Sequence, residues 1–302
     1  MIKLYNSLSR EIETFEPIKA PNVSLYVCGV TVYDHCHIGH ARAYVVFDLL
    51  KRVLTNAGYN VNHVQNFTDI DDKIIQRSLE KNTNWQSLTQ QFIKSYYEDM
   101  DQLNILRADD YPLATNSISQ MIELIQSLIS KDNAYEVNGT VYFNIESCSD
   151  YGFLSKKNIE DQDLGHRVDV EEQKRSPLDF VLWKPSKVDE PSWDSPWGSG
   201  RPGWHTECVA MVNDKLGPHI DIHGGGADLQ FPHHENELAQ AKCAYHTPFA
   251  NFWIHNGFVT VDDEKMSAAL SCPDLDEVAD RLIGDALDMG GRDNISLILI
   301  EL

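Results

Sequence analysis

The sequence predicts an α/β fold in which a parallel, doubly wound sheet is interrupted by an inserted α+β subdomain. Three features of the chain point there. Strand-like runs at 25–30 and 61–66 alternate with helical runs at 41–57 and 87–103, the rhythm of parallel strands joined by helical crossovers. A helix-period stretch follows at 117–130, with Ile118, Met121, Ile122, Ile125 and Ile129 at helical spacing, and then a hairpin at 134–143 turning on Asn138-Gly139. The first pattern then resumes, with helices at 204–216 and 234–245 separated by the strand-and-glycine segment 220–226. Residues 185–202, rich in Pro, Gly, Ser and Trp, read as a loop.

With 302 residues and 42% hydrophobic content, the chain can bury a full core. No stretch is long and apolar enough to span a bilayer and residues 1–6 carry no signal-peptide pattern, so a cytoplasmic protein is expected. The cysteines at 28, 36, 148, 208, 243 and 272 form no C-x-x-C pair and are expected as thiols; for Cys36, Cys148, Cys243 and Cys272 an ordinary packing role suffices. A net charge of -21 argues against a generic nucleic-acid binder while leaving room for a local basic patch.

The chemistry begins at His37-Ile38-Gly39-His40, between a buried strand at 24–30 and an apolar helix at 43–50. A helix N-terminus offers N–H groups and a partial positive charge, Gly39 lets the backbone approach a ligand, and His37 and His40 can donate to phosphoryl oxygens. That is a nucleotide-phosphate site without a Walker loop. Far downstream, Lys265-Met266-Ser267 supplies a lysine after the apolar run 256–261. Together the two segments resemble the signatures of the class I aminoacyl-tRNA synthetases. The finer resemblance is to the cysteinyl-tRNA synthetase family. It rests on residues 26–34 (YVCGVTVYD), 66–73 (NFTDIDDK), 201–208 (RPGWHTEC), 221–228 (DIHGGGAD) and 231–237 (FPHHENE), and covers the chain to about residue 267.

Cys28 at a strand end, Cys208 in a helix, and His233 and Glu237 one turn apart are acceptable zinc donors. Spacing alone does not assemble them, and a lone buried cysteine or a helix-capping His233 stays open on that evidence. The resemblance implies that Cys28, Cys208, His233 and Glu237 hold one Zn2+ per chain, with His234 the neighbour most easily mistaken for a ligand. It further implies that Mg-ATP and cysteine form cysteinyl adenylate, which is passed to tRNA(Cys). His37 and His40 would bond the phosphates and Lys265 would neutralise the leaving pyrophosphate. Gly224, Gly225 and Gly226 would floor the adenine site, Asp228 would take the ammonium or ribose, and Thr68, Trp204 and His223 would line the amino-acid pocket. An esterase oxyanion loop at residues 223–226 fails for want of a G-x-S-x-G turn. The run 69–72 reads as a solvated strand end and helix cap, and the protein is expected to be a monomer.

The chain departs from the family after residue 267, where Ala268 stands in place of a second signature lysine and no helical tRNA-binding region follows. Instead, a helical pattern at 274–288 and a strand at 295–300 resemble the end of the metal-dependent serine/threonine protein phosphatases, with their Gly-x-Asp-Asn-x-Ser pattern at 291–296; Asp293 alone reads as a turn residue. The expected organisation is a first catalytic half at 1–115, a connective insertion at 116–200, a second half with the lysine loop at 201–269, and a foreign tail at 270–302. The expected function is a cysteine–tRNA ligase impaired by loss of the second signature lysine and of the anticodon-binding region; the alternative is a non-catalytic zinc- and ATP-binding remnant or fusion product.

Overall fold

The computed structural model describes residues 1–156, 174–188, 190–261 and 264–265. The tail at 270–302, with Ala268 and Asp293, therefore lies outside the described residues. The chain divides into a unit at Met1–Asn256 and another at Gly257–Leu302.

The first unit is built on a four-stranded sheet. Its strands are β3 (Asn22–Val27), β4 (Asn60–Gln65), β9 (Ile220–Gly226) and β10 (Ala250–Asn256), in the order β10-β9-β3-β4, all parallel. Both faces are covered, and β3 shows how. Val23, Leu25 and Val27 enter one apolar core while Tyr26 and Cys28 enter the other, the period-2 alternation of a strand buried on both sides. A short hairpin, β1 (Lys3–Asn6) with β2 (Glu11–Thr14), joins this unit through the Ser7 N–H, which donates to the Trp253 carbonyl at 2.8 Å.

Helix α1 (Ile38–Asn56) turns Tyr44, Phe47, Leu50 and Leu54 inward at helical spacing. Phe47 lies against β9 so closely that a Cβ on Gly224 would stand 2.2 Å from its ring. Helix α2 (Asp72–Glu80), which the sequence pattern had not resolved, is capped by Asp71, whose side chain accepts from the Lys73 N–H. Asp69, by contrast, is not solvated. It is buried and accepts from both the N–H and the hydroxyl of Thr115, tying the turn after β4 to the segment ahead of residue 118. Helix α3 (Trp85–Gln102) packs Leu88, Phe92, Tyr96 and Met100 into the core.

Helix α4 (Ile118–Ser130) buries Ile118, Met121, Leu124, Ile125 and Leu128; Ile122 and Ile129 flank that face rather than lead it. The hairpin of β5 (Ala134–Val137) and β6 (Thr140–Phe143) turns on Asn138 and Gly139, both at positive φ, as a two-residue turn of this sequence requires. These strands continue into β7 (Phe180–Pro185) and β8 (Gly200–Pro202) as one antiparallel sheet. Residues 185–202 are thus not wholly loop. Gly200 makes the pairing possible, since a Cβ there would meet the Lys184 carbonyl at 2.4 Å and the Trp183 indole nitrogen at 2.6 Å. Such a three-residue strand of Gly, Arg and Pro carries no hydrophobic alternation.

Helices α5 (Trp204–Leu216) and α6 (Glu235–Tyr245) complete the first unit. In the second unit, β11 (Thr260–Val261) pairs antiparallel with β12 (Glu264–Lys265).

Candidate active site and metal centre

In the sheet, β3 leads through α1 to β4 on one side, while β9 leads through α6 to β10 on the other. The junction of β3 and β9 is therefore a topological switch point, and the crevice beyond the carboxyl ends of such strands is where open α/β sheets bind ligands. The predicted residues of the first unit gather at this edge. The Cys28 N–H donates to the Gly224 carbonyl at 3.0 Å, which locks the two strand ends together. Gly29 carries the chain across Asn66, whose carbonyl would lie 1.5 Å from a Cβ on Gly29 and whose amide oxygen accepts from the Gly29 N–H at 2.9 Å.

His37 is the N-cap of α1. Its Nδ1 accepts from the Gly39 N–H at 3.1 Å, and His40 Nδ1 reaches back to the His37 N–H at 3.2 Å, the reciprocal arrangement of a capping box. The two rings stack at 3.9 Å. Because each Nδ1 accepts from the backbone, a neutral ring carries its proton on Nε2 and presents a donor there. Gly39 is needed because a Cβ would strike the His37 ring at 2.8 Å.

The donor cluster lies within the fold. Cys28, Cys208, His233 and Glu237 are all buried, and their ligand atoms lie within 4.8 Å of one another. Cys28 and Cys208 sulfurs are 3.6 Å apart, Cys208 Sγ is 3.7 Å from His233 Nε2, and His233 Nε2 is 2.8 Å from Glu237 Oε1. His233 precedes the regular helix, with Phe231 in extended backbone, yet it still reaches Glu237 in the first turn of α6, where a carboxylate suits the helix dipole. His223 is wholly buried. Its Nε2 bonds Glu237 Oε2 at 2.7 Å, so it braces the carboxylate from the side away from His233. A second group, Cys28, His223, His234 and Glu237, meets the same distance limit.

Electrostatics divides these groups. The hydrogen bond from Cys28 brings the Cys208 thiol down to about 6 despite burial, whereas burial and the neighbouring Cys208 push Cys28 well up, so the pair holds one thiolate. Burial opposes charge on Glu237 and His233. His223 and then His233 overcome it for the carboxylate, holding Glu237 well below its usual range, and Glu237 with Cys208 overcomes it for the imidazole, raising His233 to about 10. Burial keeps His234 neutral, and drives His255 down to about 4. Two sulfurs, one imidazole and one carboxylate, converging without solvent, suit a borderline metal such as zinc.

The remaining predicted residues sit around this cluster. Trp204, 38% exposed at the start of α5, stacks on His233 at 4.1 Å. Thr68 is buried, its hydroxyl bonded to Glu207 at 2.8 Å. Asp228 is exposed just past the end of β9. Gly225 passes under His234, whose ring a Cβ would meet at 2.9 Å. Glu207, Asn66, His205 and His255 were not singled out from the sequence, although Asn66, His205 and Glu207 lie within the segments 66–73 and 201–208 that carry the resemblance. Lys265 belongs to the second unit, where its backbone pairs with Thr260.

The profile of the class I (C) tRNA synthetase catalytic domain matches residues 14–276, and the chain belongs to that family. Among its relatives, the cysteine–tRNA ligases of Hydrogenovibrio crunogenus and Shewanella woodyi are 57% and 53% identical over 270 and 272 residues, 89% and 90% of this chain. The chain spans 59% of the length of each. The fold is also that of Mycobacterium tuberculosis methionyl-tRNA synthetase, solved with methionyl-adenylate, at TM-score 0.58 and 14% identity over 83% of this chain and 60% of that one. A putative arginyl-tRNA synthetase from Campylobacter jejuni gives 0.52 and 14% over 82% and 60%. Among the described residues no helix is long and apolar enough to cross a membrane.

Proposed function

We propose that the chain provides the catalytic portion of a cysteine–tRNA ligase, which activates cysteine with ATP and transfers it from the adenylate to tRNA(Cys) in the cytoplasm. The observation that carries this reading is the convergence of Cys28, Cys208, His233 and Glu237 beside the β3–β9 switch point. A single zinc held there would take the substrate's sulfur as a thiolate, a bond that the hydroxyl of serine makes poorly. Discrimination by such a bond needs no editing step.

The chain's own groups do the rest by position. The Nε2–H groups of His37 and His40, at the positive end of α1, donate to the phosphates. Trp204 walls the amino-acid pocket on the His233 side, with Thr68 at its back. Asp228 receives the ammonium or the ribose, and Gly224, Gly225 and Gly226 let adenine lie against the end of β9. His223 keeps Glu237 in place from behind the pocket. Lys265 neutralises charge on the departing pyrophosphate, and Ala268 in place of a second lysine slows that step by about 10²–10³. The 116–200 region serves as the connective insertion; the family match runs to residue 276, so the resemblance to the phosphatases is kept for the sequence beyond it, with the Gly-x-Asp-Asn-x-Ser pattern at 291–296.

Cysteine-dependent exchange of pyrophosphate into ATP tests the reading. Exchange with cysteine but not serine, faster in Ala268→Lys, is the expected result. Absence of exchange in both proteins, each zinc-loaded, would leave a zinc- and ATP-binding protein without the ligase activity.

A further inference from the structure

A chain of hydrogen bonds leads from the donor cluster to the N-terminal hairpin. His234 Nε2 lies 3.2 Å from Cys28 Sγ. Its other nitrogen, Nδ1, is 2.8 Å from His255 Nε2 on β10, and His255 Nδ1 is 2.8 Å from the hydroxyl of Ser7. Ser7 is itself buried and fixed to β10 through its backbone bond to Trp253.

Each of these contacts has room for one proton. An uncharged imidazole donates from one nitrogen and accepts at the other, so choosing the direction of one bond chooses all of them. Cys28 as a metal-bound thiolate has no proton to give. Its contact must then be filled by His234 Nε2–H, which leaves His234 Nδ1 to accept from His255 Nε2–H and His255 Nδ1 to accept from the Ser7 hydroxyl. Every donor in the chain then has its acceptor.

We propose that His234 is a positioning residue rather than a metal ligand: it donates a hydrogen bond to the Cys28 thiolate, and His255 and Ser7 hold it in the tautomer and orientation that make this possible. The inference rests on reading Cys28, Cys208, His233 and Glu237 as the metal donors. It excludes the competing set of Cys28, His223, His234 and Glu237, in which Nε2 of His234 would spend its lone pair on the metal and have no proton for the sulfur. Outer partners of this kind change metal affinity by about 10–100-fold when removed.

The test uses the full chain loaded with zinc, with affinity read by chelator competition and the sulfur environment by the thiolate-to-metal absorption of the cobalt(II)-substituted protein. His234→Phe and His255→Phe should each weaken zinc by about 10–100-fold and shift that band while one metal per chain is retained. Ser7→Ala, distant from the cluster, should move both readouts in the same direction by less. His234→Gln, which keeps an N–H donor, should restore affinity towards the parent value. Loss of stoichiometric metal in His234→Gln would make His234 a ligand and overturn the proposal, as would an unchanged affinity and band in both phenylalanine variants. Failure of the underlying metal reading has its own signature, since zinc would then survive Cys208→Ser combined with His233→Ala.

Discussion

Histidines occur in two settings at the carboxyl edge of the parallel sheet, and the same side chain does different work in each. His37 and His40 stand at the solvent-facing start of α1, where their Nδ1 atoms accept from backbone N–H groups. His223, His233 and His234 are buried among sulfur, carboxylate and indole groups. In the first setting the backbone occupies Nδ1 of both rings, so a neutral ring carries its proton on Nε2. In the second, burial makes every proton costly: His234 is held neutral by it, and Glu237 is what favours charge on His233 until a metal takes the place of that proton. The exposed pair suits phosphates that come and go, and the buried group suits a resident cation.

The comparison breaks most sharply at the metal. Cys208→Ser combined with His233→Ala should abolish stoichiometric zinc, read by elemental analysis of the purified protein; full retention would remove the buried set from consideration. His37→Ala should do the reverse. Zinc content should stay at the parent level while cysteine-dependent pyrophosphate exchange falls by about 10²–10³, and α1 should lose about 1 kcal/mol with its cap.

Gly29 links the two settings, because it follows Cys28 and crosses Asn66 where a side chain has no space. Gly29→Ala should cost about 3 kcal/mol in urea unfolding and weaken zinc binding at the same time. A stable variant with normal zinc would show that the strand end yields more than its contacts suggest.

His63 on β4 gives burial without any site. Neither of its ring nitrogens has a hydrogen-bond partner, and burial, helped by Lys51, lowers it from the ordinary 6.5 to about 4. Below pH 6.5 the unfolded chain therefore binds a proton that the folded chain refuses, so stability falls as pH drops from 6.5 towards 4. At pH 5 the loss is about 2 kcal/mol. His63→Leu should recover about that amount at pH 5 relative to pH 7, measured by denaturant unfolding at the two pH values. An unchanged difference would mean that burial alone does not neutralise a histidine in this core.

How much of this was visible in the chain depends on how local the signal is. The switch-point strand β3, the cap at Asp71 and the Asn138-Gly139 turn are written in neighbouring residues, because a cap or a two-residue turn is decided within one turn of backbone, whereas the capping role of His37 emerged only from the fold. Strand β8 was hidden, since a glycine's role there is the absence of a Cβ beneath Lys184 and Trp183. His223 was placed in the substrate pocket by resemblance, and the fold sets it wholly buried on Glu237.

The sequence by itself determined the α/β class, the histidine turn and, through family resemblance, four candidate metal donors, whose ligand atoms the fold brings within 4.8 Å of one another. It could not order the proton donors around them. Cys28 and Cys208 are 180 residues apart, and Ser7 and His255 are 248 apart, so their contacts exist only once β3, β9 and β10 are aligned in one sheet. Tertiary structure alone decided that His233 faces Cys208 and Glu237 while its neighbour His234 faces Cys28 and His255. The physical reason is directional: adjacent side chains at the entry of a helix point different ways, and which of them meets the sulfur of a distant strand depends on the packing of α6 against that sheet.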